Sequence, residues 1–595
     1  MPRYFYVVRS RLLSRVPYLR LALLAALLGL AAGGAAWVLV HLIGLFTNLF
    51  LFHQWGWDVP SFRELDPSPW IVVAAVGGAA VVTLMAKWAP VIRGHGIPEA
   101  MEAVLVRQSR IAPRTAVAKP LSSAIAIGTG GPFGAEGPII VTGGALGSLL
   151  GQVLHVSASE RKILLASGAA AGMAATFGAP LAAVVLAIEL LLFEFSARAF
   201  VPLVVATSVA SAVHAATFGS GPLFSVPDHE FAGMSQLPLF ALLGVACGLL
   251  ATLIAKGLFA IEHAYAKLPV STTWHPIIGA VLWASIGLLV PRALGVGYEV
   301  IDDALAGRLA VATLAALAIG KLVIWWLALA SGTSGGTLAP ILLISSCSGA
   351  LIGELLHDIN ASISPTSFAL VAMAATFGAA TRAPFASIVF VFELTRDYNA
   401  ILPIMLATVL ADMVARALLA ESLMTEKLAR RRLTVPSDFR PDVMATTHVR
   451  DVMTAHVRTL PASTTVADAL DRFVAGRHSA YPIVDVEGLC IGVVTRSDLL
   501  ALAEDDSRTL AECFEGDVVS VASNDVVLTV LHRMLDDEVD HVPVVDDGQL
   551  VGICTRTDLL RARHRMTAAE VRQPGWLTSV TTVRRGRRAT APTDT

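Results

Sequence analysis

Glu136 is the only charged residue between Lys119 and Glu160, and it sits in Gly134-Ala135-Glu136-Gly137-Pro138. A carboxylate among apolar, glycine-rich neighbours is costly at membrane depth, so it points to an ion pathway. The flanking glycines let backbone N–H groups approach a ligand. Pro138 marks the start of a helix expected over 139–155, where its missing N–H costs nothing. The free amides and positive dipole end of that helix attract anions, and Glu136 is placed to compete with them. The plainer alternative is a glutamate hydrogen-bonded inside a helix bundle.

The elements that must position this carboxylate are apolar. The chain is 55% hydrophobic and 15% charged, with a mean hydropathy of +0.68. Uncharged runs recur over 21–52, 163–188, 231–255 and 322–353, and about 20 apolar residues span a bilayer core. Ser334-Gly335-Gly336-Thr337-Leu338-Ala339-Pro340 interrupts one run. Broken helices are tolerated in a membrane where the backbone is buried in protein or lines a cavity. The chain therefore reads as a many-helix transporter or channel in contact with the lipid bilayer.

Arg3, Arg9, Arg11, Arg15 and Arg20 occupy the first twenty residues without an acid, which predicts a cytoplasmic N-terminus. The run from Leu21 is too long for a signal-peptide core. Cys247, Cys347, Cys490, Cys513 and Cys554 lack metal-ligand spacing and fit a reduced compartment. A net charge of -2 gives no sign of nucleic-acid binding.

The apolar part is duplicated. Met173-Ala174-Ala175-Thr176-Phe177-Gly178-Ala179 returns unchanged as Met373-Ala374-Ala375-Thr376-Phe377-Gly378-Ala379. Pro180 precedes Glu189-Leu190 by nine residues, as Pro384 precedes Glu393-Leu394. Gly134-Ala135-Glu136-Gly137-Pro138 has its counterpart in Gly336-Thr337-Leu338-Ala339-Pro340. Two such halves place an ion site at their interface near mid-membrane. Sequence symmetry leaves open whether the repeat is inverted or parallel.

A second repeat follows. Gly492-Val493-Val494-Thr495-Arg496-Ser497-Asp498-Leu499-Leu500 returns as Gly552-Ile553-Cys554-Thr555-Arg556-Thr557-Asp558-Leu559-Leu560. Tyr481-Pro482-Ile483-Val484 and Val542-Pro543-Val544-Val545 read as strands, preceded by helical patterns over 466–474 and 526–535. The Thr and Asp of each unit cap a helix or hold a phosphate and a ribose.

Three ordered motifs carry a family resemblance: Gly94-His95-Gly96-Ile97-Pro98, Gly134-Ala135-Glu136-Gly137-Pro138 and Gly336-Thr337-Leu338-Ala339-Pro340. They resemble the GSGIP, G(K/R)EGP and GxFxP motifs of the CLC chloride channels and chloride/proton antiporters. The resemblance covers roughly residues 20–430, and residues 446–565 resemble a tandem CBS pair. It implies an all-α polytopic membrane domain of inverted-repeat fold with broken helices, followed by an α/β CBS pair. The expected layout is a basic cytoplasmic segment 1–20, a membrane domain 21–430 with halves at 21–217 and 231–430, a linker 431–445, CBS units 446–503 and 504–565, and a basic disordered tail 566–595. The resemblance further implies a homodimer in the plasma (inner) membrane with both termini cytoplasmic.

It makes Glu136 the gate and assigns the anion to His95, Gly96, Ile97, Thr337, Leu338 and Met424. His95 stands at the family's serine position, Leu338 at its phenylalanine and Met424 at its pore tyrosine. Chloride is the expected ion, with fluoride or nitrate as alternatives. His95 either donates to the anion from its ring or turns away and leaves the amides of Gly96 and Ile97. Glu189 matches the partner of the antiporters' inner glutamate, but Leu190 replaces that glutamate itself. A channel is therefore expected, with an antiporter relayed through Glu194 as the alternative. Lys119 matches the family's intramembrane lysine and either adds positive potential or snorkels to an interface. No cofactor is required for transport. In the CBS pair, ATP, ADP or AMP is expected at Thr495, Asp498, Thr555 and Asp558, flanked by Tyr481, Pro482, Val542 and Pro543. Many such pairs serve only in structural coupling or dimerisation.

Two other classes fit less well. A CBS-regulated divalent-cation transporter would need several acids facing the ion. A membrane enzyme would need paired carboxylates, a metal cluster or a nucleophile with its base. Gly128-Thr129-Gly130-Gly131 has no strand–helix unit around it to make a dinucleotide site.

Overall fold

The computed structural model describes residues 19–154, 156–226, 234–433, 435, 444, 447–476, 478–502, 507–514 and 518–571. The chain divides into two compact units, 1–439 and 440–595. The basic N-terminal residues up to Arg15, most of the 431–445 linker and Arg584 to Arg588 lie outside the described residues.

In the first unit, helices α1 (Leu19–Leu51), α2 (Trp70–Trp88), α3 (Ile97–Leu105), α4 (Thr115–Gly128), α5 (Glu136–Val153), α6 (Ala158–Phe177), α7 (Pro180–Ala187) and α8 (Ala197–Thr217) form one series. The same order of long and short helices returns as α9 (Leu237–Ala266), α10 (His275–Gly287), α11 (Tyr298–Leu305), α12 (Val311–Ala330), α13 (Leu338–His357), α14 (Pro365–Thr381), α15 (Pro384–Thr395) and α16 (Ile401–Leu418). A short α17 (Glu426–Arg430) follows. The packing repeats as well: α1 lies against α6 and α8, and α9 against α14 and α16. Seven of the described helices are long and apolar enough to cross a membrane.

The buried faces of the central helices are rich in Ala and Gly, which lets backbones approach where lipid supplies no hydrophobic drive. Ala166, Ala169, Ala170 and Ala171 of α6 and Ala369, Ala372, Ala374 and Ala375 of α14 all lie in one apolar core. Proline starts α7 and α15, where it forfeits no intrahelical bond. A π-turn over Ile188–Leu192 continues α7 and ends at Phe193 in the left-handed region (φ 55°). Arg396 (φ 54°) ends α15 in the same way.

In the second unit, β1 (Leu460–Pro461), β2 (Ala480–Val484) and β3 (Cys490–Thr495) form a sheet in that order, parallel and then antiparallel. An antiparallel pair, β4 (His541–Asp546) with β5 (Gln549–Thr555), repeats the β2–β3 hairpin. Helices α18 (Val466–Ala475) and α19 (Arg496–Ala501) belong to the first repeat, with α20 (Leu510–Cys513) after them; α21 (Val527–Asp536) and α22 (Arg556–Val571) belong to the second. Each repeat has its own core, Val466, Phe473, Ile483 and Val494 in one and Val527, Val530, Val542 and Val544 in the other.

Two sequence expectations shift. The helix expected over 139–155 begins at Glu136 and ends at Val153, because Ala135 already takes helical angles (φ -78°, ψ -13°). The tail expected to be disordered from 566 starts as helix, since α22 runs to Val571.

Candidate functional site

Four backbone breaks meet in the membrane unit. The Gly94 amide donates to Thr333 O at 3.2 Å, and the Gly295 amide donates to Gly130 O at 3.2 Å. The Gly-x-Gly loop of each half thus leans on the glycine-rich break of the other. Between the breaks, the equivalent residues Gly134 and Gly336 form an antiparallel bridge, with N–O distances of 3.3 and 2.9 Å. Gly96 has φ +101°, and a Cβ on it would lie 2.4 Å from Gly137 O. The starts of α3 and α5 meet this closely only because glycine stands there.

Glu136 is the first residue of α5 and is fully buried. The Tyr298 hydroxyl donates to its Oε1 at 2.5 Å, while Oε2 has no hydrogen-bond partner of ordinary geometry among the described residues. The carboxylate fills the hollow left by two glycines: a Cβ on Gly134 would sit 1.7 Å from Oε2, and one on Gly336 3.0 Å. The amides of Glu136 itself and of Ala339, in the first turn of α13, face the carboxylate, and Lys321 acts on it through space. The hydroxyl of Thr337 and Nδ1 of His95 are also buried without a partner among the described residues. Helix starts, the buried Lys321 side chain and the unpaired Thr337 hydroxyl suit negative charge. The protein's own carboxylate already supplies that charge.

Two buried lysines brace the loops. Lys119 donates to Ile92 O and Gly94 O, both at 2.7 Å. Lys321 donates to Ala293 O at 2.9 Å and Gly295 O at 2.6 Å. Both ammonium groups are fully buried, so Lys119 does not snorkel; the carbonyls replace water around it.

The remaining expected anion residues have mixed surroundings. Ile97 and Leu338 are fully buried first residues of α3 and α13, and Thr337 precedes α13. The Gly96 amide donates to Glu99 Oε2 at 2.7 Å, while the Ile97 amide has no partner among the described residues. His95 is 1% exposed. The Lys427 ammonium lies beside its loop, 3.4 Å from a Cβ built on Gly94. Met424 is fully buried in the apolar core, and its amide donates to Ser422 Oγ at 3.2 Å.

The paired Pro-to-Glu spacings acquire a physical meaning. Glu189 accepts from the Ala386 amide at 2.8 Å. Glu393 accepts from the Leu181 amide at 3.0 Å and the Ala182 amide at 2.6 Å. Each half ends a helix in a carboxylate that caps the opening turn of its counterpart in the other half. Leu190 is buried on the π-turn. Glu194 is half exposed and pairs with Lys162 at 3.4 Å.

Sequence reasoning missed Tyr298 and Lys321. The signal was present: Gly295-Val296-Gly297-Tyr298 echoes Gly94-His95-Gly96-Ile97, and Lys321 precedes Leu338 by the same seventeen residues that separate Lys119 from Glu136.

In the second unit, Thr495 Oγ1 donates to Asp498 Oδ2 at 2.7 Å and accepts from the Asp498 amide at 3.3 Å. Thr555 and Asp558 repeat both bonds, at 2.7 and 3.3 Å. Both pairs are helix caps. A cleft of about 760 Å³ is lined by Thr495, Arg496, Asp498, Glu538, Asp540 and His541 among others. Tyr481, Pro482, Val542 and Pro543 lie buried in β2 and β4, and neither they nor Thr555 and Asp558 line that cleft. His541 Nε2 pairs with Ser479 Oγ at 2.8 Å. Burial holds the His541 imidazole below its usual 6.5, against the opposing pull of Asp540.

Comparison with known proteins places these features among relatives. A family model described as voltage gated chloride channel matches residues 77–416, and a CBS domain model matches 449–505 and 512–565. A ClcB-like relative from Ralstonia nicotianae, provisionally named a chloride channel protein, is 30% identical over 61% of this chain and 87% of its own. The H+/Cl- exchange transporter ClcA of Vibrio parahaemolyticus is 30% identical over 69% of this chain and 89% of its own. The crystal structure of a slow cyanobacterial Cl-/H+ antiporter superposes with a TM-score of 0.61 at 24% identity, over 69% of this chain and 98% of that one.

Proposed function

Because the chain belongs to the voltage gated chloride channel family, we propose that it carries chloride across the membrane past Glu136 in exchange for protons. The observation behind the site is Glu136 itself. It is a buried carboxylate, one oxygen of which lacks a hydrogen-bond partner of ordinary geometry among the described residues, set among helix starts that suit an anion. Ionised, it holds the anion's place. Protonated, it loses its charge and yields that place to chloride, so one group links proton and anion. Exchange is favoured over the channel reading because relatives matched over most of their length are named H+/Cl- exchange transporters. Leu190 supports the channel reading, since an apolar side chain there carries no proton.

One experiment separates the two. Purified protein in liposomes is given an outward chloride gradient while chloride and external pH are followed together. Protons driven against their gradient by chloride are the expected result; chloride efflux without proton movement returns the protein to the channel reading. Glu136→Gln is expected to abolish proton movement and flatten the pH dependence of chloride flux. An unaltered pH profile in that variant would remove Glu136 from the gate.

The protein is a multi-pass membrane protein. Dimerisation, residence in the plasma (inner) membrane and cytoplasmic termini are parts of the same proposal. So is regulation by ATP, ADP or AMP at the CBS cleft, where Thr495 and Asp498 offer a hydroxyl and a carboxylate. Calorimetric titration with AMP and with ATP tests it, and no heat from either rejects it.

A further inference from the structure

Glu136 has a hydrogen-bond partner outside the three Gly-Pro motifs. The Tyr298 hydroxyl donates to Glu136 Oε1 at 2.5 Å across 162 positions of sequence. It comes from the opposite half, at the place that Ile97 occupies in its own: each is the first residue of a short helix after a Gly-x-Gly loop. Gly96 (φ +101°) and Gly297 (φ +89°) both take left-handed backbone there. One half thus carries an alkyl side chain at this position, packed in the apolar core, and the other a phenol that reaches Glu136.

The phenol is firmly held. Its ring packs edge-on against Phe177 and Phe224, with centroids 6.2 and 6.0 Å away. The loop before it is tied down by Lys321 through Ala293 O and Gly295 O. Its hydroxyl reaches Glu136, and Tyr298 also lines a cavity of about 300 Å³ with Ala135, Thr176, His214, Arg292 and Glu299. Glu136 does not line that cavity.

We propose that Tyr298 is a latch: a positioning residue whose hydroxyl holds the ionised Glu136 carboxylate in the anion's place and releases it on protonation. This rests on the reading of Glu136 as the gate. A bond to a carboxylate is about twice as strong as one to a neutral acid, so the latch weakens when Glu136 takes up its proton. The charged and titratable groups around the pair are Lys321, which acts on Glu136, and Arg292, Glu299 and His214 across the cavity. Arg292 is paired with Asp303 at 2.5 Å, and Glu299 accepts from the Phe62 amide at 3.2 Å. His214 is tied through Nδ1 to Ala175 O at 2.8 Å.

The test measures chloride flux against pH in liposomes for the full chain, for Tyr298→Phe, for Glu136→Gln and for the double variant. Donation to a carboxylate favours its ionised form, so removing the donor opens the gate at less acidic pH. The flux midpoint of Tyr298→Phe should rise by roughly one pH unit, with several-fold more flux above the wild-type midpoint. With Glu136→Gln already present, Tyr298→Phe should change nothing further. 3-Fluorotyrosine at position 298, a stronger donor of nearly the same size, should move the midpoint the other way. The latch is overturned if Tyr298→Phe keeps the wild-type profile, or if it alters flux equally in the Glu136→Gln background. Should Glu136→Gln itself leave the profile untouched, the gate reading fails first.

Discussion

Replacing Glu393 tests the exchange of helix caps between the two halves. Its carboxylate accepts from Ala182 at 2.6 Å and Leu181 at 3.0 Å. Ala182 is fully buried, so no water replaces the lost acceptor, and a bond to a charged group contributes about 1.5–3 kcal/mol. Leu181 is 52% exposed, which limits its bond to about 0.5–1 kcal/mol. The charge at the helix start adds about 0.3–1 kcal/mol. The sum for Glu393→Ala is about 2–5 kcal/mol, and about 3 kcal/mol corresponds to roughly 100-fold easier opening of the first turn of α7. Glu393→Gln keeps an acceptor without its charge and should lose about half of that free energy, near tenfold. Hydrogen–deuterium exchange of peptides covering 180–187, read by mass spectrometry in nanodiscs, measures the opening directly. Peptides at the start of α15 are capped by Glu189 instead and should keep their protection. Exchange over 180–187 within about twofold of wild type, or equal loosening of both helix starts, would refute the capping argument.

Two further outcomes follow from the same geometry. Gly96→Ala forces a side chain into left-handed backbone and sets its Cβ 2.4 Å from Gly137 O; chloride flux in liposomes should fall at least about tenfold, given about 1–2 kcal/mol of backbone strain before the clash is counted. Burial keeps His541 below 6.5 in the folded CBS unit, so as pH falls the unfolded chain takes up that proton first. Stability is present above 6.5 and declines through the window beneath it, an effect that exchange protection over β4 and β5 should show and that His541→Gln should lack.

Much of the membrane unit was legible because glycine and proline punctuate it. Pro180, Pro384 and the Gly134 and Gly336 breaks all mark real boundaries. The Thr495–Asp498 and Thr555–Asp558 pairs were readable as caps because a cap is a local bond, three residues apart. Tyr298 was not readable as a partner of Glu136, since a bond across 162 positions of sequence leaves no local signal until the chain folds. The ends of the π-turn after α7 and of α15 were hidden for another reason: Phe193 and Arg396 stop them with left-handed backbone, a task sequence reasoning assigns to glycine. The channel expectation rested on Leu190, one substitution, whereas similarity spread over hundreds of residues favours exchange.

The Gly134–Gly336 bridge constrains how such a protein works. Its two backbone bonds stitch the halves together beside the buried Glu136 carboxylate. Rocking one half against the other would break those bonds between buried backbone groups. If Glu136 gates the ion as proposed, the moving part is small, a side chain turning inside a stationary frame, and a full cycle should leave little trace in the course of the main chain.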